Sequence, residues 1–364
     1  MEEKIDPWGS IQIKDYEETI DKFGIEDIKK VVKAIPKEHS MFKKKIIYGH
    51  RDFGKYLKAV NNGKEFAMMT GMMPSGKFHF GHKLVADMIK YFQDIGADIY
   101  VAVADIEAYL TRDMPLEKSR EIAIREYLKN YIALGIDVDR INFYFQSEGS
   151  TNYNKMSKLF SKNVTQNELK AIYGDINPGK TVSVLTQAAD ILLPQFEENG
   201  GPKPVVVPVG IDQDPHIRLT RDIAYRFKEQ KFIKPSSIYT KFMRGLTGGK
   251  MSSSDPKSYI ALDESIESAK KKIDSAKTGG KQSLKEHREK GADVEKDVVF
   301  ELLAFNLIED DERIKQIYRK YDKGEILSGE LKQIAKEKIE DFLKKHHKKL
   351  DEAEKKIEEM FPQI

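Results

Sequence analysis

One segment near the start of the chain constrains the fold more than any other, because its hydrophobic pattern changes twice within a short stretch. Residues 66–69 form an apolar run, FAMM, and residues 70–78 form a loop with glycine and proline, TGMMPSGKF. Residues 84–95 then place apolar side chains at helical spacing, and Gly96 follows in the position past the last turn. This order predicts a strand, a loop and a helix with one buried face.

The same alternation of strand and helix patterns continues along the chain. Short apolar runs over residues 99–103, 141–145 and 204–210 predict strands, and residues 116–134 predict a helix that ends at Gly135. Strands that alternate with helices form parallel sheets covered on both faces. We therefore predict an α/β fold with a Rossmann-like, doubly wound parallel sheet.

Length and local composition divide the chain into three regions. A chain of 364 residues exceeds the usual size of one domain. We predict an N-terminal extension over residues 1–60, with a helix over residues 25–35 that ends before proline. Residues 61–255 form the predicted Rossmann-like domain, with a helical insertion at about 146–201, and the lysine- and glutamate-rich residues 256–364 form a predicted all-α domain.

The composition excludes several kinds of chemistry. The chain has no cysteine, so disulfides, thiolate nucleophiles, cysteine-ligated zinc and iron–sulfur clusters are not expected. Only His79 with His82, and His346 with His347, lie close together among the eight histidines, which makes a metal cage a weak interpretation. No segment reaches the ~20 apolar residues that cross a bilayer, and the N-terminus has no secretory pattern. We expect a cytoplasmic protein that does not enter the membrane.

The tetrapeptide HFGH, residues 79–82, lies between the first predicted strand and the helix that follows it. Free backbone N–H groups and the positive end of the helix dipole favour phosphate at such a place. Gly81 permits close approach of a flat ring such as adenine, and His79 and His82 can donate hydrogen bonds to phosphate oxygens. Taken alone, two histidines at this spacing fit a structural role equally well.

A second motif, GGKMSSS at residues 248–254, belongs to a glycine-rich segment that can fold over a ligand. Lys250 and the neighbouring hydroxyl groups suit a triphosphate, although a serine-rich surface loop explains the serines alone. The occurrence of both motifs in one chain, in this order, favours a nucleotide site.

Together the two motifs resemble the ATP site of the class I aminoacyl-tRNA synthetases, in which HxGH and KMSKS-type motifs promote adenylation of an amino acid. The resemblance implies that the chain binds ATP, with Mg²⁺ accompanying the nucleotide, and that no covalent enzyme nucleophile is needed. It implies catalytic roles for His79, His82, Lys250, Ser252 and Ser253. It implies further ATP contacts at Gly81, Gly210, Asp212, Met251 and Ser254, with the carboxylate of Asp212 near the ribose.

Further segments narrow the resemblance to the tryptophanyl and tyrosyl subclass, over nearly the whole chain. They are TGMMPSGKFHFGH from residue 70, ADIEAYL from residue 104, QAADILL from residue 187 and PVGIDQDPHIRLTRDIA from residue 208. DPW at residues 6–8 and GHRDF at residues 49–53 resemble the N-terminal part of the archaeal and eukaryotic tryptophan enzymes.

The choice between tryptophan and tyrosine depends on the side-chain pocket. AADILL resembles bacterial tryptophan enzymes, in which an aspartate at the place of Asp190 accepts the indole N–H. Archaeal tyrosine enzymes share this aspartate but have tyrosine at the place of Met69, whose thioether cannot hold a phenol hydroxyl. Eukaryotic tryptophan enzymes have tyrosine at Met69 and glutamine at Ala102, so the chain departs from them there. We predict L-tryptophan as the substrate, with tyrosine as the alternative.

The resemblance also implies which groups hold the α-amino group of the amino acid. They are Glu107, Gln187 and Gln213, and an ammonium does need several acceptors that include one negative charge. Ordinary polar packing would explain each of these residues separately.

The partners implied by the resemblance are tRNA(Trp), read by the C-terminal helical domain, and a second copy of the chain in a homodimer formed through the insertion at about 146–201. The formal net charge of +3 is too small to indicate nucleic-acid binding by itself. Two other classes of function stay open: a nucleotidyltransferase that does not use tRNA, and a non-catalytic paralogue that keeps the fold for RNA binding.

Overall fold

The structure is a computed structural model that describes residues 16–249, Met251 and residues 255–363. Its strands are β1 (Glu26–Asp27), β2 (Ile47–Arg51), β3 (Ala67–Met72), β4 (Asp98–Val103), β5 (Ile141–Phe145), β6 (Val205–Val209) and β7 (Ser236–Thr240). Its α-helices are α1 (Tyr16–Phe23), α2 (Ser40–Lys43), α3 (Phe53–Asn61), α4 (Phe80–Asp94), α5 (Asp105–Arg112), α6 (Leu116–Ile122), α7 (Lys129–Ala133), α8 (Thr151–Leu159), α9 (Gln166–Tyr173), α10 (Pro178–Leu192), α11 (Asp214–Arg226), α12 (Ile266–Ser275), α13 (Leu284–Lys290), α14 (Val298–Leu302), α15 (Asp311–Asp322) and α16 (Ser328–Met360). A π-helical turn, Ala123–Leu128, joins α6 to α7, and another, Leu303–Leu307, extends α14.

The strands form one sheet in the order β1-β2-β7-β6-β3-β4-β5. The five strands from β7 to β5 are parallel to one another, which confirms the predicted doubly wound parallel sheet. The N-terminal region adds β1 and β2, which pair antiparallel at the edge beside β7. The motif DPW at residues 6–8 lies outside the described residues.

The predicted strand–loop–helix segment folds as β3, a loop and α4. The apolar side chains of Leu84, Met88, Ile89 and Phe92 are buried along one face of α4, against the sheet core. Gly96 ends this helical segment at a φ of 90°, a left-handed conformation that glycine adopts without steric cost. The spacing that predicted the helix therefore also places the HFGH motif at its N-terminus.

The order of the strands creates a reversal next to β3. The chain proceeds from β3 to β4 and β5 on one side, and the helical insertion with α8, α9 and α10 then returns it to β6 on the other side. Open parallel sheets bind ligands at such a reversal, outside the carboxyl ends of the strands.

The described residues after Asp255 contain only helices as regular elements, as predicted for the C-terminal region. The 33-residue helix α16 packs along α7 and α12. The main hydrophobic cluster runs from Ile28 to Ile357, so the C-terminal helices share a core with the sheet region. The domain boundaries stay a prediction.

The predicted helix over residues 25–35 is wrong. This stretch forms β1 followed by two short 3₁₀ turns, Ile28–Lys30 and Val32–Ala34. The main chain of Glu26 and Asp27 pairs with β2, and the Asp27 carboxylate accepts a hydrogen bond from Lys29 N at 2.8 Å. Pairing at the edge of the sheet thus overrides a local helical pattern.

No helix in the described part of the chain is both long and apolar enough to span a membrane.

Candidate active site

A cavity of about 390 Å³ lies at the carboxyl ends of β3 and β6, where the strand order reverses. Its walls also come from the first turn of α5 and the second half of α10. The residues predicted to hold the amino acid and the ribose all line this one cavity: Met69, Glu107, Gln187, Asp190, Gly210, Asp212 and Gln213. The fold therefore brings together positions that are spread over much of the sequence.

The cavity has an apolar floor. Met69 and Ala102 come from β3 and β4, and they belong to one buried cluster with Ile191, Val207 and Ile217. No aromatic hydroxyl stands at position 69, so this wall offers a flexible apolar thioether rather than a partner for a phenol.

The HFGH motif forms the N-terminal cap of α4. His79 Nδ1 accepts a hydrogen bond from Gly81 N at 3.1 Å, and His82 Nδ1 accepts one from His79 N at 3.3 Å. The two rings stack with centroids 3.8 Å apart. Because an imidazole that accepts at Nδ1 carries its proton at Nε2 when neutral, both histidines have an Nε2–H donor. The Nε2 of His82 lies 3.3 Å from the hydroxyl of Tyr127.

Both histidines are held neutral at ordinary pH. Burial lowers the pKa of His79 to about 4. Burial, together with the neighbouring His79, lowers the pKa of His82 well below its usual value. The HFGH turn can therefore donate hydrogen bonds to an anion without bringing a permanent positive charge of its own.

The second motif reaches the first through Met251. A Cβ atom added at Gly81 would lie 3.0 Å from His79 Cε1 and 3.3 Å from Met251 Sδ, so the glycine permits this close packing. Beyond the motif, Leu262 N donates to Phe78 O at 3.0 Å, and His79 pairs with Ala261 in an isolated antiparallel bridge. The predicted residues Lys250, Ser252, Ser253 and Ser254 lie outside the described residues.

Asp190 is a buried carboxylate at the deep end of the cavity. Its Oδ1 accepts hydrogen bonds from the hydroxyls of Tyr144 at 2.8 Å and Tyr153 at 2.7 Å, and its Oδ2 accepts one from Gln146 Nε2 at 2.7 Å. A carboxylate has about four acceptor positions, so three donors leave room for one more. Burial raises the pKa of Asp190 to about 6, although the three hydrogen bonds oppose the rise.

Gln146 connects Asp190 with the helix that carries Glu107. Its Oε1 accepts a hydrogen bond from Glu107 N at 3.3 Å, while its Nε2 donates to Asp190. The buried carboxylate of Asp105 accepts from Ser147 N at 3.1 Å and from the Ser147 hydroxyl, which fixes the turn after β5 against the start of α5. The sequence-based prediction missed these supporting residues, although Gln146 directly follows a predicted strand at the edge that forms the site.

Gln187, which lies one turn before Asp190 on α10, meets Gln213 in the wall of the cavity. Gln187 Nε2 donates to Gln213 Oε1 at 3.1 Å. The other polar atom of this side chain, Gln187 Oε1, is buried and has no hydrogen-bond partner among the described residues. A buried acceptor of this kind costs about 1–3 kcal/mol unless a ligand donor reaches it, which fits an ammonium group in the cavity.

Gly210 and Asp212 form the rim next to β6. A Cβ atom at Gly210 would lie 2.5 Å from the ring of Phe242 and 2.6 Å from Asp212 Oδ1, so only glycine fits without a rearrangement. The Asp212 carboxylate thus turns back over the end of β6 and lines the cavity. A carboxylate in this position can accept hydrogen bonds from two neighbouring hydroxyls.

Comparison with known proteins places the chain among related sequences and structures. The family model for class I tRNA synthetases (W and Y) matches residues 61–344. The tryptophan–tRNA ligase of Methanocaldococcus jannaschii is 48% identical over 358 residues, covering 96% of each chain. The crystal structure of tryptophanyl-tRNA synthetase from Aeropyrum pernix K1 has a TM-score of 0.90 at 45% identity, covering 97% of each chain. The structure of a tryptophanyl-tRNA synthetase from Encephalitozoon cuniculi bound to tryptophan has a TM-score of 0.79 at 28% identity, covering 93% of this chain and 96% of that one.

Proposed function

This chain belongs to the class I tRNA synthetases for tryptophan and tyrosine, and we propose that it uses ATP to join L-tryptophan to tRNA(Trp). The observation that carries the proposal is the cavity at the strand reversal, which has an apolar floor and the buried carboxylate of Asp190 and is lined by Ser75 of the loop that leads to the HFGH turn. The full-length likeness to tryptophan–tRNA ligases argues against a nucleotidyltransferase without tRNA, and the intact His79, His82, Lys250 and Ser252 argue against a non-catalytic paralogue.

A charging assay tests the proposal. The purified chain, a tRNA(Trp) transcript, ATP, Mg²⁺ and labelled tryptophan are combined, and acid-precipitable label is measured. We expect label on the tRNA and one AMP released for each tryptophan attached. Release of AMP without label on the tRNA would contradict the proposed second step.

The proposed reaction proceeds in two steps. An oxygen of the tryptophan carboxylate attacks the α-phosphorus of ATP, the bond to the β-phosphate oxygen breaks, and pyrophosphate leaves. A hydroxyl of the terminal ribose of the tRNA then attacks the carbonyl carbon of the adenylate, and AMP leaves. The chain lowers the first barrier by holding the reactants in line and by placing donors where phosphate charge develops.

The residues of the two motifs supply those donors in our proposal. His79 offers its Nε2–H to a phosphate oxygen, and its capping bond at Nδ1 keeps that donor oriented. Lys250 contributes the positive charge that the neutral histidines lack, with Ser252, Ser253 and Ser254 as hydroxyl donors. In our proposal Mg²⁺ accompanies the nucleotide and would be held by the phosphates of ATP. Mg²⁺ would supply charge neutralisation on those phosphates.

The amino acid is held from two sides. We propose that Glu107, Gln187 and Gln213 receive the α-ammonium group, with the unpartnered Gln187 Oε1 as one acceptor. The indole lies on the apolar floor, and its N–H donates to the remaining acceptor position of Asp190. Asp212 receives the ribose hydroxyls of ATP at the other end of the cavity.

The pKa of Asp190 predicts how tryptophan binding depends on pH. The carboxylate form accepts the indole N–H, and because burial raises the pKa to about 6, this form predominates above that pH and is lost as the pH falls through it. The dissociation constant for tryptophan should therefore rise by about tenfold between pH 7 and pH 5. Calorimetric titration measures it, and the adenine nucleotide AMP serves as the control ligand. A flat profile for tryptophan would show that Asp190 does not bind the indole as a carboxylate.

We also propose that the helical C-terminal region reads the anticodon and that two copies of the chain form a homodimer through the insertion. Two exposed apolar side chains support the proposed homodimer. Tyr109 on α5 is 57% exposed and Val182 on α10 is 50% exposed, and these two helices pack against each other. Apolar side chains on adjoining helices of one surface are typical of a subunit contact.

A charge placed on this surface should separate the subunits. In a two-fold interface each substituted side chain occurs twice, so Val182→Glu brings in two like charges. We expect light scattering at micromolar concentration to give a dimer for the wild type and a monomer for Val182→Glu. Leu284→Glu, at a side chain 69% exposed on α13, is the matched control and should stay dimeric. A monomeric wild type would refute the homodimer, and a dimeric Val182→Glu would place the contact elsewhere.

A further inference from the structure

We propose that Tyr127 is a positioning residue for adenylation, which holds His82 and the loop before it in their working arrangement. The inference rests on the proposed function, because adenylation is the step that it affects. Its structural basis is a hydrogen-bond chain that links the HFGH turn to a helix outside the motif. Tyr127 is 1% exposed and lies in the π-helical turn Ala123–Leu128.

The hydrogen bond between His79 and His82 sets the direction of the contact between His82 and Tyr127. His79 N–H donates to His82 Nδ1, so neutral His82 carries its proton at Nε2, and this Nε2–H faces the Tyr127 hydroxyl at 3.3 Å. The Tyr127 hydroxyl also hydrogen-bonds to Ser75, which lies in the β3–α4 loop and lines the cavity. One hydroxyl therefore joins the second histidine of the motif to the loop that precedes it.

This arrangement separates the tasks of the two histidines. The only N–H of neutral His82 is occupied by Tyr127, whereas His79 keeps an Nε2–H for phosphate. His82 then acts on the reaction by keeping the stacked His79 ring in place, 3.8 Å away, rather than by a direct phosphate contact. Tyr127 in turn keeps His82 in place.

Three further contacts hold the turn that carries Tyr127. Lys77 Nζ, in the β3–α4 loop, pairs with Glu126 Oε1 at 2.7 Å. On the far side, Asn130 Nδ2 donates to Glu126 O at 2.6 Å, and Asn130 Oδ1 lies 2.8 Å from Nε2 of His346 on α16. The π-helical turn is thus fixed between the β3–α4 loop and α16. Such turns are often found at functional sites.

Helix α7, which follows the π-helical turn, contains a matched control for substitution of Tyr127. Tyr131 lies one turn after Tyr127 and is 2% exposed, and both rings pack edge-on against Phe78, with centroids 5.5 Å away for Tyr127 and 5.8 Å for Tyr131. Among the residues that the structure describes, the hydroxyl of Tyr131 has only a distant contact with Met72 Sδ, at 4.0 Å. Tyr127→Phe and Tyr131→Phe each remove one buried hydroxyl and keep the ring, but only the first removes a contact with His82.

Tryptophan-dependent exchange of labelled pyrophosphate into ATP compares the variants. We expect Tyr127→Phe to lower kcat by about tenfold, the scale of one lost hydrogen bond, with the KM for tryptophan unchanged. Tyr131→Phe should stay within about twofold of the wild type, and melting temperatures check that both variants fold. His82→Ala combined with Tyr127→Phe should lose less than the product of the two single losses, because the two side chains share one hydrogen bond. Equal losses in the two tyrosine variants, or losses that multiply in the double variant, would overturn the proposal.

A measurement that does not depend on activity separates this proposal from the proposed function. With ¹⁵N-labelled histidine, the imidazole Nε2–H of His82 should give a protected NMR signal in the wild type and in Tyr131→Phe. In Tyr127→Phe the signal should shift and exchange faster with water. If Tyr127→Phe leaves the signal unchanged, the pairing of Tyr127 with His82 is refuted. If the wild type shows no tryptophan-dependent pyrophosphate exchange, the proposed function is refuted, and the NMR result still decides whether Tyr127 pairs with His82.

Discussion

Replacing Asp190 by asparagine is expected to lower kcat/KM for tryptophan by about 10²- to 10³-fold. The change removes a charged acceptor for the indole N–H, and a hydrogen bond to a charged group contributes about 1.5–3 kcal/mol. It also disturbs the bonds around the cavity. An amide can still accept from Tyr144 and Tyr153 through its oxygen, but its NH₂ group then faces Gln146 Nε2, which is also a donor. If Gln146 turns to present its oxygen, it loses the bond from Glu107 N.

Pyrophosphate exchange at varied tryptophan and at varied ATP measures this effect. The loss should appear at limiting tryptophan, while the KM for ATP should change little, because the proposal assigns Asp190 to the amino acid and not to the nucleotide. Asp98→Asn is the matched control, since it removes a carboxylate that pairs with Lys203 at 2.6 Å at the start of β4. An Asp190→Asn variant as active as Asp98→Asn would show that Asp190 has only a structural role.

Replacing Lys250 by alanine is expected to lower the rate of adenylation by about 10²-fold or more. This is the scale of losing a charged contact that forms fully only in the transition state. The burial that holds His79 and His82 neutral makes the lysine charge more important, because the HFGH turn supplies donors without a positive charge. Tryptophan binding should barely change, because Lys250 is assigned to the phosphates.

Single-turnover formation of the adenylate and calorimetric titration of tryptophan separate the two effects. Lys257→Ala is the matched control, because it removes the same charge from an exposed position in the same segment. If pyrophosphate exchange by Lys250→Ala equalled that of Lys257→Ala, the assignment of the second motif to ATP would be wrong.

The sequence was sufficient to predict the parts of the fold that depend on local pattern. The change from an apolar run to helical spacing within residues 66–96 predicted β3, the loop and α4. The alternation of strand and helix patterns after it predicted the parallel sheet. Because parallel strands end at a common edge, residues that follow them meet in one cavity. The resemblance to the synthetase family implied that Glu107, Asp190 and Gln213 share one site, and the fold brings them to one cavity although they lie far apart in the sequence.

The features that were missed depend on tertiary contacts. Residues 25–35 have a helical pattern, but pairing with β2 at the edge of the sheet decides their conformation. Tyr144 and Tyr153 bind Asp190 only because the insertion folds α8 and α10 against β5. Tyr127 contacts His82 from a π-helical turn. The apolar pattern predicts a helix by assuming 3.6 residues per turn, so it does not predict where the period changes locally.

The identity of the amino acid is the central claim, and one measurement tests it most directly. Exchange of labelled pyrophosphate into ATP is measured with each of the twenty amino acids in turn, at equal concentration and without tRNA. We expect tryptophan to stimulate exchange at least about 10³-fold more than tyrosine, because in our proposal Asp190 accepts the indole N–H, and Met69 offers no partner for a phenol hydroxyl. Stimulation by tyrosine equal to or greater than that by tryptophan would contradict the account.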